Sequence, residues 1–234
     1  MRRSLLCSLQ ALATLAAAAA HAASSGIAVN RTAIIFSPGD ETQSFAISDS
    51  GADTVHVQIR LFRWHNKGTE DVYEQSQDIG FSPAIVSLAP TESQIVRMVV
   101  LAPRRPQEGS YRLFIDQLPP PPRAGTVTLP VRFVVPVFVQ GQHPSSKPAL
   151  AWKATARSGE ATVTAINAGG VHVRLTDLGY VAGGKEQIVV PGLAGYVLAG
   201  EQRSWVFPYR GSSLDIVAQT DEGPIHQSIP LVAP

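Results

Sequence analysis

The sequence predicts an all-β protein of two domains, the first an immunoglobulin-like sandwich. Three observations carry this. From residue 26 onward no long stretch has the 3.6-residue apolar period of a helix, while short runs rich in Val, Ile, Thr and aromatics recur between Gly, Pro, Asp and Ser clusters. The 234 residues leave room for two domains of about 100 residues each. Within the first part, about seven strand-like runs fall in about 115 residues, the density of a sandwich.

Taken in order, the chain opens with "MRRSLLCSLQALATLAAAAAHA", which has basic Arg2 and Arg3, an apolar core and the small-residue ending Ala20-His21-Ala22. This pattern predicts a secretory signal over residues 1–22, removed after Ala22. Its apolar core is short for a membrane span, and no later stretch approaches about 20 apolar residues, so membrane insertion is not expected. Residues 23–142 form the first expected domain, with strands in "IAVNRTAIIF", "TQSFAISDS", "TVHVQIRLFRW", "AIVSLA", "SQIVRMVVLA", "YRLFIDQL" and "TVTLPVRFVVPVFV".

Alternation is strongest in "VHVQIRLFRW": Val55, Val57, Ile59, Leu61 and Arg63 share one face, and His56, Gln58, Arg60, Phe62 and Trp64 the other, expected partly wet, face. "SPGDE", "SDSGAD", "WHNKGTED" and "LAPTES" supply turn chemistry between the runs. "LPPPPRAG" reads as a long loop before the last strand, and residues 143–148 as an interdomain linker. A second, smaller β domain is expected over residues 149–234, with strands in "LAWKATA", "EATVTAINAG", "VHVRLTDLGYVA", "GYVLAGEQRSWVFP", "SLDIVAQT" and "IHQSIPLVA".

Composition narrows the chemistry. Cys7 lies inside the signal, so the mature chain has neither a disulfide nor a thiolate metal site. Without Arg2 and Arg3 the 19 basic residues become 17 against 18 acidic ones, a formal charge of −1 that gives no general attraction to nucleic acid. His56, His65, His143, His172 and His226 have no metal-ligand spacing, and no G-x-S-x-G elbow is present.

"GYVAGGKE" has Glu186 where a phosphate-binding loop needs Ser or Thr, and strand-like runs flank it, so it reads as a tight β-turn. The acidic group "TEDVYEQSQD" reads as a solvated hairpin. Neither a catalytic set, a metal site nor a cofactor site is expected, and the chain reads as a binding protein rather than an enzyme.

The stretch "VTLPVRFVVPVFV" invites a partner. Val127, Leu129, Val131, Phe133, Val135 and Val137 form one apolar row by period two. Pro130 and Pro136 are at home only at a strand edge or bulge. Two readings stay open on the residues alone: a row that faces the domain's own interior, or an edge that adds to another protein's sheet.

"VNRTAIIFSPGDETQSFAISDSGADTVHVQIRLFRW", "SPAIVSLAPTESQIVRMVV", "YRLFIDQLPP" and "LPVRFVVPVFVQ" together resemble the successive blocks of the PapD-like periplasmic chaperones of the chaperone-usher pathway. "RLFRW", "YRLFIDQLP" and "RFVVPVFV" are closer to the archaic branch, which serves spore-coat-type subunits. Ala33 and Val134 stand where the conventional branch has a second arginine and a lysine.

The resemblance implies a boomerang of two immunoglobulin-like domains that holds incomplete pilus or spore-coat-type subunits by lending them a strand. It implies a periplasmic location, delivery of subunits to an outer-membrane usher and no cofactor. The donor residues would be Val127, Leu129, Val131, Phe133 and Val135. Candidates to anchor the subunit's terminal carboxylate are Arg112 with Arg132, then Arg97 and Arg31. An exposed donor row also suggests transient self-dimerisation. The competing reading is a structural or adhesive component of a surface fibre; a secreted hydrolase would need a catalytic set that the sequence lacks.

Overall fold

The computed structural model describes residues 26–122, 128–142, 147–211 and 213–232, and every regular element among them is a strand. The expected signal therefore lies outside the described residues, as do Val127 and His143. The first sandwich holds β1 (Ile27–Val29), β2 (Ile34–Phe36), β3 (Thr42–Asp49), β4 (Val55–Lys67), β5 (Glu70–Gln75), β6 (Ile79–Ser82), β7 (Ile85–Leu88), β8 (Ser93–Val100), β9 (Gly109–Gln117) and β10 (Arg132–Val139). One sheet runs β1-β3-β8-β6 and the other β2-β10-β9-β4-β5, with β7 also on β4.

Alternation decides which side chains fill the space between these sheets. Phe45, Ile47, Val96 and Met98 from one sheet meet Phe36, Val57, Ile59, Leu113, Ile115 and Val137 from the other, all essentially closed to water. Each such side chain contributes about 1.5–3 kcal/mol on burial, and with no disulfide this packing holds the domain.

"IAVNRTAIIF" is two strands rather than the single one expected. β1 pairs with β3 and β2 with β10, so the chain changes sheets between them. The Asn30 side chain accepts from Ala46 N at 2.8 Å at the crossing. The short β6 carries no extended alternation and has no counterpart in the expected strands; it is held by antiparallel pairing to β8.

The second sandwich holds β11 (Leu150–Arg157), β12 (Glu160–Asn167), β13 (Val173–Ala182), β14 (Lys185–Val197), β15 (Gln202–Pro208), β16 (Ser213–Thr220) and β17 (Gly223–Val232). Its strands follow the path β14-β13-β16-β17-β11-β12-β15, with β17 pairing to β16 along most of its length and to β11 at its end. The "GYVAGGKE" segment makes a two-residue turn between β13 and β14, where Gly183 and Gly184 have φ of 58° and 74°. "GYVLAGEQRSWVFP" divides into the end of β14, a turn and β15, because Glu201 N bonds back to Leu198 O at 3.1 Å.

A third, small core joins the two sandwiches. Trp64, Phe138, Tyr196 and Leu198 are buried together, and Phe138 stacks on His172 with ring centroids 3.6 Å apart. Polar contacts surround it: Glu201 accepts from Asn66 N at 2.6 Å and touches His65 Nδ1 at 2.7 Å, while Glu108 sits 2.7 Å from His172 Nδ1. Ser204 N donates to Gly68 O at the tip of the β4–β5 hairpin, 2.9 Å away. Trp64 is accordingly 1% exposed, although its face of β4 was expected to be partly wet. The second domain is what dries it.

Candidate functional site

Part of β10 forms a free edge of its sheet. Gln117 N donates to Val131 O at 2.9 Å, and Arg132 stands opposite Asp116. By the alternation of an antiparallel ladder, Val131, Phe133, Val135 and Val137 turn their backbone groups toward β9, whereas Arg132, Val134 and Pro136 turn theirs outward. Gln140 N, outward by the same count, donates to Phe36 O at 3.0 Å, which confirms the side on which β2 sits. β2 covers only Val137–Val139, so among the described residues no strand pairs with the outer edge from Arg132 to Pro136. Both prolines fall at outward positions, where a missing N–H costs β9 nothing.

The apolar row is divided. Leu129 is 80% exposed, Val131 and Phe133 are half-buried, and Val135 and Val137 are buried. Val135 therefore belongs to the domain's own core, a correction to the expectation of one uniform donor row. The physical reason is the facing sheet, which closes over the lower half of β10 but not its upper half.

The outer face of the same sheet carries a cluster around Arg112. Across the strands Pro136 lies opposite Arg112, Arg112 opposite Phe62, and Trp64 opposite Tyr73. The Arg112 guanidinium carbon sits 3.6 Å from the Trp64 ring centroid and 5.1 Å from that of Tyr196. A desolvated stack of this kind contributes about 2 kcal/mol.

Tyr73 and Phe62 both meet Phe114 edge-on, at 5.3 and 5.4 Å. Arg112 is 8% exposed, and its Nε finds no hydrogen-bond partner. Arg60, Arg63, Arg132, Arg174 and Arg203 each hold a carboxylate, but among the described residues Arg112 holds none. Burial pulls its pKa below the ordinary arginine value, and Tyr73 and Asp71 act in the opposite sense. Burial likewise raises the Tyr73 and Tyr196 hydroxyls, with Asp71 adding to the effect on Tyr73. The cluster is thus a buried fixed cation, still charged at neutral pH, set beside a free strand edge.

The family described as "Pili and flagellar-assembly chaperone, PapD N-terminal domain" matches residues 26–145. The chain belongs to this family. It is a PapD-like pilus-assembly chaperone of the chaperone-usher type, and its two-sandwich architecture recurs in solved structures.

The CsuC–CsuE chaperone–tip adhesion subunit pre-assembly complex, from archaic chaperone-usher Csu pili of Acinetobacter baumannii, superimposes with a TM-score of 0.70 at 21% identity, over 89% of this chain and 99% of that one. The SafA pilin in complex with the SafB chaperone of Salmonella enterica gives 0.61 at 15% identity, over 86% and 95%. The CupB2 chaperone of Pseudomonas aeruginosa gives 0.57 at 17%, over 87% and 100%. No curated protein sequence matches the chain.

The chaperone does not bring all four expected arginines together. Arg132 sits on the same sheet face as Arg112, but its Nε bonds Asp116, whose other oxygen accepts from Arg60 at 2.6 Å. It is a neutralised member of a network rather than a free cation. Arg97 lies on the outer face of the opposite sheet, between the inward-facing Val96 and Met98, and Arg31 is exposed in the link between β1 and β2. Neither reaches the Arg112 cluster.

The acidic hairpin also departs from its expected role. Asp71 bonds Arg203 of the second domain, and Asp78 bonds Arg63 and accepts from Tyr111 Oη at 2.8 Å. Trp64, Tyr73, Tyr196 and Arg203 were missed as site residues. The aromatic spacing in "RLFRW" marks Trp64 as a face residue, but only the docked second domain shows what it supports.

Proposed function

We propose that this chaperone works in the periplasm, where it binds incomplete immunoglobulin-like pilus or spore-coat-type subunits and passes them to an outer-membrane usher. It belongs on this reading to the archaic branch. It comprises a removed signal at 1–22, a donor-strand domain at 23–142, a linker at 143–148 and a second domain at 149–234, and it acts without catalysis or cofactor. The observation that carries the reading is an open β10 edge beside a buried guanidinium on the neighbouring strand that bonds no carboxylate among the described residues and whose Nε has no hydrogen-bond partner.

A subunit strand added to this edge would take its backbone hydrogen bonds from Arg132 and Val134, and its open core would receive Leu129, Val131 and Phe133. If its terminal carboxylate rests on Arg112, opposite Pro136, the rest of that strand runs back past Val134 and Arg132. It therefore lies parallel to β10. Burying Leu129, Val131 and Phe133 would contribute about 1.5–3 kcal/mol each, against the ordering and association costs of binding. The carboxylate adds a charge-assisted contact in a partly dry place.

The test is affinity capture of the tagged mature chaperone from the periplasm of its host, beside a Val131→Asp, Phe133→Asp variant and an Arg112→Ala variant. Recovery of a small secreted β-rich subunit by the native form and not by the double variant supports strand donation. Arg112→Ala is expected to weaken capture by about 2–5 kcal/mol, the penalty for unpairing a buried charge. Equal recovery with all three forms overturns the reading.

A further inference from the structure

A second guanidinium converges on the Arg112 cluster from the other domain. Arg203 on β15 reaches across the junction to bond Asp71 on β5. Asp71 and Tyr73 share one face of β5, and Tyr73 lies opposite the Trp64 on which Arg112 stacks. The Arg203 side chain passes directly over Gly195: a Cβ placed there would meet its Nε at 2.7 Å and its guanidinium carbon at 3.0 Å. The next residue, Tyr196, has its ring 5.1 Å from the Arg112 guanidinium. The two guanidinium groups therefore flank the same Gly195–Tyr196 pair.

The charge count at this place does not close. Arg112 and Arg203 contribute two positive charges, and among the described residues Asp71 is the one carboxylate bonded to either. The Arg203 and Asp71 side chains are only 13% and 21% exposed, and the Nε atoms of both arginines are buried without a hydrogen-bond partner. An uncompensated charge in so dry a setting is costly unless an anion pairs with it. Arg112 is disfavoured first by burial, and Arg203 adds to that. A guanidinium has five N–H donors, so Arg203 can hold Asp71 and still offer N–H groups to a second carboxylate.

We propose that Arg203 is the second cation of the subunit-carboxylate site, supplied by the second domain and shared in the free chaperone with Asp71. This rests on the reading of Arg112 as the anchor. One terminal carboxylate is then gripped by both domains, and the subunit senses the angle between them. A plain domain-bridging ion pair would leave Arg203 indifferent to the ligand.

The test uses the full mature chain, labelled with ¹⁵N at arginine Nε, titrated with acetyl-Thr-Val-Thr-Val as the free acid and as the C-terminal amide. Arg112→Lys and Arg203→Lys variants assign the two signals. The Nε–H signals of both Arg112 and Arg203 are expected to move with the acid and not with the amide. Arg203→Gln is expected to weaken the acid about tenfold and leave the amide unchanged.

Asp71→Asn frees Arg203 and is expected to tighten the acid several-fold; weaker or unchanged binding overturns the proposal. Movement of Arg112 alone overturns the role of Arg203 and leaves Arg112 as the anchor. Movement of neither overturns both.

Discussion

Replacing Phe138 by Ala removes the ring that joins the two domains. Phe138 is 1% exposed, stacks on His172 at 3.6 Å, and has the Trp64 and Tyr196 rings at 6.2 and 5.9 Å. The lost ring leaves roughly 100 Å³, which at about 24 cal/mol per Å³ costs about 2.4 kcal/mol before the lost transfer energy is added. With that addition the total reaches the usual 3–5 kcal/mol for a buried phenylalanine. Because β10 is flanked by β9 and β2 in register, the backbone cannot readily collapse into the space.

Urea unfolding followed by far-ultraviolet circular dichroism measures the effect. With a slope of about 2 kcal/mol per molar, the midpoint of the first transition should fall by about 2 M. Val99→Ala, on the exposed face of β8, should stay within about 0.5 kcal/mol of wild type. A fall of less than about 0.5 M for Phe138→Ala would show that the second domain does not pack on this ring, and the account of the junction would fail.

Further outcomes are expected. Burial alone would raise the Asp116 carboxyl, but bonded Arg132 and Arg60 outweigh it and hold it below the usual carboxylate range. Its unfolded form then binds the proton more readily, so this stabilisation is present above about pH 4 and is lost as the pH falls through the lower folded-state value. Asp116→Asn should flatten the acid limb of a stability–pH profile, and an unchanged limb would refute the assignment. Gly179→Ala should destabilise the second domain by about 1–3 kcal/mol in urea titrations, because the new Cβ would lie 2.3 Å from Gln187 O. The open β10 edge should produce weak self-association that Val131→Asp suppresses; a concentration-independent monomer by light scattering would reject it.

Some features are local in cause, and these were legible early. Period-two alternation in "VHVQIRLFRW" identified β4 and its inward Val57, Ile59 and Leu61, because a strand must turn every second side chain the same way, and the β-rich run "SQIVRMVVLA" marked β8. The prolines of "VTLPVRFVVPVFV" marked an edge, and the backbone alternation puts Pro136 on the outer side of β10. What failed was non-local. "IAVNRTAIIF" has no residue pattern that announces a change of sheet, since the change is decided by which partner, β3 or β10, each half meets. The four arginine candidates looked alike as residues; Asp116, placed opposite Arg132 by strand pairing, separates that one from Arg112.

By itself, then, the sequence determined the all-β class, the family and the edge character of the last strand of the first domain. These depend on residue type and spacing along one strand, which no later packing alters. Tertiary structure alone decided that the lower half of the apolar row is core, that Trp64 is dry and that Arg112 bonds no carboxylate among the described residues. It also decided that Arg203, more than 90 residues further along the chain, arrives beside it. Burial and charge pairing are properties of what surrounds a side chain, and here the surroundings come from the facing sheet and the second domain.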